Sequence, residues 1–207
     1  MSKAVMLSIR PKWCKKIASG EKTIEVRKTK PRLETPFKCY IYCSKAKERL
    51  ICILKDGDEN YGEIYHGKPV FIKQDEGSVC DMSGNRQKVI GEFTCDRIYE
   101  LETRSPGGSY YVKGEGQPTT NGVARQSCLT LKDMHEYLQA GKGYGWHISK
   151  LEIYDTPKEL IEFHTWKKCK SCSKSGYEST ACIYDENCMV PVAITKAPQS
   201  WRYVEAM

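Results

Sequence analysis

Residues 4–27 read AVMLSIRPKWCKKIASGEKTIEVR, and the punctuation of this stretch sets the fold. Ala4–Ile9 is a short apolar run with β-branched members, which reads as a strand. Pro11 follows where a first helical turn tolerates it, because an N–H there would have no intrahelical acceptor. Trp13, Cys14, Ile17 and Ala18 recur at near-helical spacing, and Gly20 stands where a helix stops. Thr23–Arg27 then alternates, with Ile24 and Val26 on one face and Thr23, Glu25 and Arg27 on the other. The opening unit is a strand, one short helix and a second strand.

Beyond it, Phe37–Ser44 (FKCYIYCS) is aromatic and β-branched, as a strand should be. Arg49–Leu54 reads as a buried element, and residues 55–90 as hairpins with a short strand at Val70–Ile72. Val89–Ile98 alternates, with Phe93 and Cys95 facing one way and Glu92, Thr94 and Asp96 the other. Residues 100–126 crowd SPGGS, GEGQP and NG into one stretch and read as a long surface loop or lid. Residues 129–140 read as a helix stopped by Gly141, Trp146–Tyr154 as an alternating strand, Pro157–Phe163 as one helical turn, and Trp201–Val204 as a closing strand. Six to eight short strands and two to three helices in mixed order do not alternate as a doubly wound parallel sheet requires. The expected class is mixed α+β, mainly β: a small, partly open β-barrel with a few short helices at its ends. The barrel takes residues 1–163 with 189–207, and residues 164–188 form a cysteine-rich insertion near the C-terminus.

Charge is unevenly placed. Of 33 basic and 26 acidic side chains in 207 residues, the first 50 residues carry 14 and 4. The remaining 157 residues carry 19 and 22, so the basic excess belongs to the N-terminal segment. A concentrated positive field attracts polyanions, which points to nucleic acid or a nucleotide, although a lysine-rich surface also serves solubility. No apolar run approaches the roughly 20 residues needed to cross a bilayer. The N-terminus lacks a secretory apolar region. With the odd number of cysteines, 11, this suggests reduced thiols and a cytoplasmic protein without a membrane partner.

Two clusters carry chemistry. The first is Gly20-Glu21-Lys22-Thr23-Ile24-Glu25-Val26-Arg27. In a strand, Thr23, Glu25 and Arg27 share a face that Lys22 can reach from the preceding turn. A nucleobase or phosphate pocket needs this mixture: guanidinium for bidentate contacts, carboxylate as acceptor, ammonium as point charge. The same spacing also describes a solvent-facing strand edge with an ordinary Glu–Arg pair. Such a trio suits holding a ligand better than activating a nucleophile, although Glu25 could serve as a general base for water.

The second cluster is Cys169-x2-Cys172-x9-Cys182-x5-Cys188, four thiols within 20 residues. A C-x2-C pair supplies two ligands from one turn, and two further thiolates complete a tetrahedral structural zinc site. The segment has too few apolar residues to fold alone, so metal would supply the missing stability. Unligated thiols or a redox pair at Cys169 and Cys172 are the alternatives, and His164 is a substitute ligand. The other seven cysteines read as buried thiols. Among the aromatic residues, Trp13, Tyr40, Tyr42, Trp146 and Trp201 suit either base stacking or the barrel core. Trp146 follows Gly143-Tyr144-Gly145, which would admit a ligand closely. His135 and His147 read as structural.

Ser8-Ile9-Arg10-Pro11, a short helix and then G-x-K-T-x-E-x-R resemble the opening of the ASCH domain family, small β-barrels of the PUA-like superfamily. Gly91-Glu92-Phe93 and Trp146-His147-Ile148 resemble its later strands. Pro198-Gln199-Ser200-Trp201 resembles the ending of its larger, cysteine-containing members. The resemblance implies a PUA-like barrel with a cleft beside the first helix and the G-x-K strand, suited to RNA or a modified nucleobase. Arg10, Lys22, Thr23, Glu25, Arg27 and Trp146 are then the expected ligand-binding residues. Some members of the family are amidohydrolases acting on N4-acetylcytidine, and another is a ribonuclease. In the amidohydrolase pattern, G-x-K-T-x-T-x-R, the lysine and the second threonine are catalytic. Lys22, Thr23 and Arg27 match that pattern, but Glu25 replaces the second threonine, so the hydroxyl is missing. Glu136 is the nearest candidate for a further acidic residue of the pattern. The expectation is therefore an RNA- or nucleobase-binding module. Its alternatives are a hydrolase of an acylated nucleoside or a ribonuclease, with Lys22 and Glu25 catalytic, and a protein-interaction module.

Overall fold

The structure, a computed structural model, describes residues 2–45, 50–54, 70–73, 87–103, 108–114, 117–139, 141–169 and 189–207. Strand β1 (Lys3–Ile9) leads into helix α1 (Pro11–Ala18), with Pro11 in its first turn. Gly20, at φ 75°, follows the C-cap Ser19, and its N–H donates to Ile17 O. That left-handed position is the one glycine occupies without a steric penalty. Strand β2 (Ile24–Arg27) comes next, then β3 (Phe37–Cys43) and the antiparallel pair β4 (Leu50–Leu54) and β5 (Val70–Lys73). The rest of the expected hairpin region, 55–69 and 74–86, lies outside the described residues.

Two long strands, β6 (Lys88–Thr103) and β8 (Gly143–Glu159), form the spine of the sheet. Their ladder slips at Val89/Gly91, Glu92/Thr94 and Cys95/Ile98. Such bulges bend a strand and increase its twist, which lets one strand pass over two cores. At Gly91 the strands approach so closely that a Cβ would lie 2.3 Å from Glu152 O.

Residues 100–126 are not one loop or lid. Strand β6 continues to Thr103, and β7 (Tyr110–Val112) pairs with it. Helix α2 (Thr120–Gln126) follows, its first turn capped where Thr119 Oγ1 accepts from the Gly122 N–H at 3.1 Å. Asn121 and Gly122 are poor helix formers, but the cap and the burial of Val123 and Ala124 override them. Helix α3 (Leu131–Leu138) opens with a full Thr130–Asp133 capping box. Pro157–Phe163 resolves into the end of β8 and a 3-10 turn at Leu160–Glu162. The insertion at 164–188 begins inside a ribbon, because β9 (His164–Lys168) pairs antiparallel with β10 (Met189–Ala193). Strand β11 (Trp201–Glu205) closes the order.

The main sheet runs β11-β1-β3-β6-β8-β2, with β7 beside β6; β1 and β3 are parallel and the other pairs antiparallel. Central strands are apolar on both faces, and the two periodic sets enter different cores. Val5, Leu7, Ile9, Cys39, Ile41 and Cys43 pack with Cys14 and Ile17 of α1. Met6, Tyr40 and Tyr42 pack with Phe163 and Ile194 on the other side. A third cluster joins Ile24, Val26, Tyr99 and Leu101 to α2 and α3.

The fold is mainly β, as expected, and the sheet is not closed into a barrel. Side chains span the seam between β2 and the β1–β11 end. Arg27 Nη2 donates to Ser8 O at 2.8 Å, Trp201 Nε1 to Thr29 Oγ1 at 2.9 Å, and the Arg32 N–H to the Tyr203 hydroxyl at 2.6 Å. Among the described residues, no helix is long and apolar enough to cross a membrane.

Candidate ligand-binding cavity

At the seam, backbone pairing stops while α1 and α3 stand on either side, and a cavity of about 910 Å³ opens. Strand β2 supplies its floor. Among the described residues, Lys22, Glu25 and Arg27 are the three buried charged side chains, at 3%, 7% and 7% exposure. Strand β2 is therefore covered on both faces, and its polar face is not a solvent-facing edge.

Each of the three is held differently. Lys22 Nζ donates to Ile24 O at 2.9 Å and Ser127 O at 2.8 Å, and stands 3.1 Å from Glu25 Oε2. Arg27 reaches across the seam to Ser8 O, and its Nη1 donates to Ser200 Oγ at 3.4 Å. Arg27 Nε lies 3.0 Å from Glu25 Oε1. The ion-pair distances are short, but neither Glu25 Oε2 nor Arg27 Nε makes an aligned hydrogen bond among the described residues. A carboxylate oxygen accepts more than one hydrogen bond, so Glu25, paired to both cations, still has capacity for a donor from a ligand in the cavity.

Other elements complete the walls. Arg10, Lys12 and Trp13 come from the start of α1, Tyr42 and Lys45 from β3 and its exit, Asp133, Glu136 and Tyr137 from α3, and Ser200 from the entry to β11. The Trp13 ring lies 4.5 Å from Lys12 Nζ and 5.1 Å from Lys22 Nζ. Burial pushes the Tyr42 and Tyr137 phenols up, and at Tyr137 the Glu25 carboxylate adds to that while Arg27 opposes it. Both therefore stay protonated hydroxyls near neutral pH, able to donate to a ligand.

The expected residues separate into two groups. Arg10, Lys22, Glu25 and Arg27 converge on the cavity. Thr23 turns away, its N–H donating to Gln126 O at 2.9 Å and its hydroxyl lying 3.4 Å from Gln126 Oε1. Trp146 is not at the cavity wall. It is the cross-strand neighbour of Glu25, but it is fully buried and packs on Phe37 and Trp201 at centroid distances of 5.8 and 6.1 Å. Its ring supports the floor from within the core. Trp13 and Tyr42, two of the five stacking candidates, line the cavity, whereas Tyr40 is sealed in the second core against Phe163.

Lys12, Lys45 and Tyr137 were not legible as site residues. For Tyr137 a signal existed: Asp133, Glu136 and Tyr137 share a helix face at i, i+3 and i+4, beside the buried stripe of Met134 and Leu138. Lys45 carried no local signal.

Of the four expected zinc ligands, Cys172, Cys182 and Cys188 lie outside the described residues, and Cys169 follows the end of β9 half-buried. Among the described residues there is no group of three or more side chains able to hold a metal. Cys14, Cys39, Cys43 and Cys95 are buried. Burial pushes the Cys14 and Cys39 thiols well up and that of Cys95 to about 12, which makes these three poor nucleophiles.

No protein-family model matches the chain, and no curated protein matches it. Among solved structures, it is similar to an ASCH protein from Zymomonas mobilis at 14% identity, over 76% of this chain and 73% of that one, with a TM-score of 0.45. A serine-to-alanine variant of that protein is similar at 14% identity over 76% and 74%, with a TM-score of 0.45. A tyrosine-to-phenylalanine variant is similar at 13% identity over 99% and 91%, with a TM-score of 0.47.

Proposed function

We propose that this chain is an ASCH-type, PUA-like module whose cavity binds a nucleobase, presented by single-stranded RNA or as a nucleoside. The observation that carries the reading is the Glu25 carboxylate: 7% exposed, with Oε2 lacking an aligned donor, on the floor of a cavity of about 910 Å³. A buried carboxylate oxygen in that state favours a ligand edge rich in N–H groups, and nucleobase edges provide them. The rings of Trp13, Tyr42 and Tyr137 offer stacking surfaces of the kind unpaired bases use.

Binding ranks above hydrolysis because Lys22 is already committed. Two of its protons go to backbone carbonyls, and the ammonium pairs with Glu25. A lysine held in this way orients and neutralises a carboxylate; it is not placed to attack or to accept a proton.

The test is titration of the protein with acylated and unmodified nucleosides and a short single-stranded RNA, with product followed by mass spectrometry. The expected result is saturable binding without turnover, weakened at least about tenfold in Glu25→Gln, as loss of a charged hydrogen bond implies. If about four phosphates of the strand are contacted, log K should fall against log salt with a slope near −3. Product formed by the wild type and not by a folded Lys22→Ala variant would make the chain a hydrolase. Absence of binding to every probe would remove the cavity reading.

A further inference from the structure

The last turn of α2 is tied to the floor of the cavity. The helix closes in a Schellman arrangement, in which the Cys128 N–H donates to Arg125 O at 3.1 Å and the Leu129 N–H to Ala124 O at 3.0 Å. The left-handed position of such a cap usually holds glycine, as Gly20 does after α1; here it holds Cys128, at φ 54°. Two further carbonyls serve the segment that leads into β2. Gln126 O accepts from the Thr23 N–H at 2.9 Å, and Ser127 O accepts from Lys22 Nζ at 2.8 Å. The Cys128 thiol adds a tie of its own, with Sγ 3.5 Å from Glu21 O. Gln139 after α3 is left-handed as well, so the conformation alone singles out nothing. Cys128 is distinguished by what its corner holds: Gln126, Ser127 and Cys128 each contact one of Thr23, Lys22 and Glu21.

The Ser127 carbonyl belongs to the peptide group between Ser127 and Cys128. Its direction follows from the torsions on either side, ψ −1° at Ser127 and φ 54° at Cys128. Returning Cys128 to an ordinary negative φ rotates that peptide and carries the carbonyl off Lys22. A side chain branched at Cβ drives this rotation, because left-handed backbone crowds it against the neighbouring carbonyl, whereas glycine has nothing to crowd. Lys22 Nζ donates to both Ser127 O and Ile24 O, and this placement sets it 3.1 Å from Glu25 Oε2.

We infer that Cys128 is a positioning residue for the cavity: its left-handed backbone aims the Ser127 carbonyl at Lys22, and the ammonium so fixed holds the Glu25 carboxylate for the ligand. Cys128 does not line the cavity and acts through Lys22. The effect on a ligand rests on the nucleobase reading above; the fixing of Lys22 does not.

The test compares the wild type with Cys128→Gly and Cys128→Val, each shown folded by its urea transition. In nitrogen-labelled protein at low temperature, the Lys22 side-chain ammonium should give a resolved resonance with a through-hydrogen-bond coupling to the Ser127 carbonyl carbon. Cys128→Gly should keep both, and Cys128→Val should lose the coupling. Nucleoside affinity should fall by about threefold or more in Cys128→Val and stay near the wild-type value in Cys128→Gly. A coupling and an affinity unchanged in Cys128→Val overturn the inference, as does a coupling lost in Cys128→Gly. If Cys128→Val does not fold, the wild type and Cys128→Gly still decide it, since absence of the coupling in either overturns it. A wild type that shows the coupling and binds no nucleoside removes the base reading and leaves the fixing of Lys22 standing.

Discussion

Glu25 lies 3.0 Å from Arg27 Nε and 3.1 Å from Lys22 Nζ, with all three side chains out of solvent. Glu25 is the one anion of the three, so its loss would leave two buried cations unpaired, which typically costs about 3–5 kcal/mol, whereas loss of Lys22 leaves a Glu25–Arg27 pair. Lys22→Ala still strips the Ile24 and Ser127 carbonyls of their donor. We therefore expect Lys22→Ala to lower unfolding stability by about 2 kcal/mol or more in urea titrations, from the two carbonyls left without a donor. A variant as stable as the wild type would show that the ammonium is not structural, and would reopen a chemical role for it. Glu25→Gln keeps the shape of the floor but leaves Lys22 and Arg27 without their counter-charge, so its ligand binding is read on protein whose urea transition shows it folded.

At the scale of elements, the site depends on where α1 and α3 begin. Pro11 starts α1 so that its first turn faces the seam, and the Thr130–Asp133 capping box starts α3 so that Glu136 and Tyr137 face the same space. The ribbon of β9 and β10 sets off the cysteine-rich segment, whose C-x2-C spacing we read as half of a structural zinc site. Elemental analysis of the purified chain should give one zinc per molecule. Cys172→Ser should lose it, and removal by chelator should lower the melting temperature. Metal-free protein with an unchanged melting curve would leave those thiols as ordinary cysteines.

For the whole molecule, acid stability follows from paired carboxyls distributed over the sheet. Burial pushes the Glu92 carboxyl up, but hydrogen bonds from Lys38 and Tyr154 outweigh it and hold it below its ordinary 4.5. Burial likewise pushes Asp96 up, and the contact with His147 outweighs it. The Lys30 contact holds Glu100 down. Groups depressed in the folded chain bind more protons when unfolded at low pH. Their contribution is present above the ordinary carboxylate range and is lost as pH falls through the folded values. The urea midpoint should therefore be flat with respect to these groups above about pH 5 and drop below about pH 4. Lys38→Met should make that drop smaller. A midpoint that rises on acidification would contradict the pairing.

How much was legible differs by residue. The opening strand, helix and strand followed from the sequence alone, because the periods of 2 and 3.6, the early Pro11 and the stop at Gly20 are local signals. The alternation of Thr23–Arg27 likewise placed Glu25 and Arg27 on one face, and the G-x-K-T-x-E-x-R motif named the floor of the cavity. Local pattern could not tell that this polar face would be covered, since its cover comes from α1, α3 and Ser200, the last of these 173 positions from Arg27. Helix α2 was hidden by Asn121 and Gly122, whose weak propensity was overridden by a cap and by tertiary burial. Trp146 had the composition of a ligand platform, but only the β2–β8 register and packing on Phe37 decided that it belongs to the core. What the sequence by itself determined is the opening strand, helix and strand, most of the later strands of the main sheet, and the charge they carry. Which of those charges are buried, and beside what, was decided by the tertiary structure, because burial depends on contacts between segments far apart in the chain.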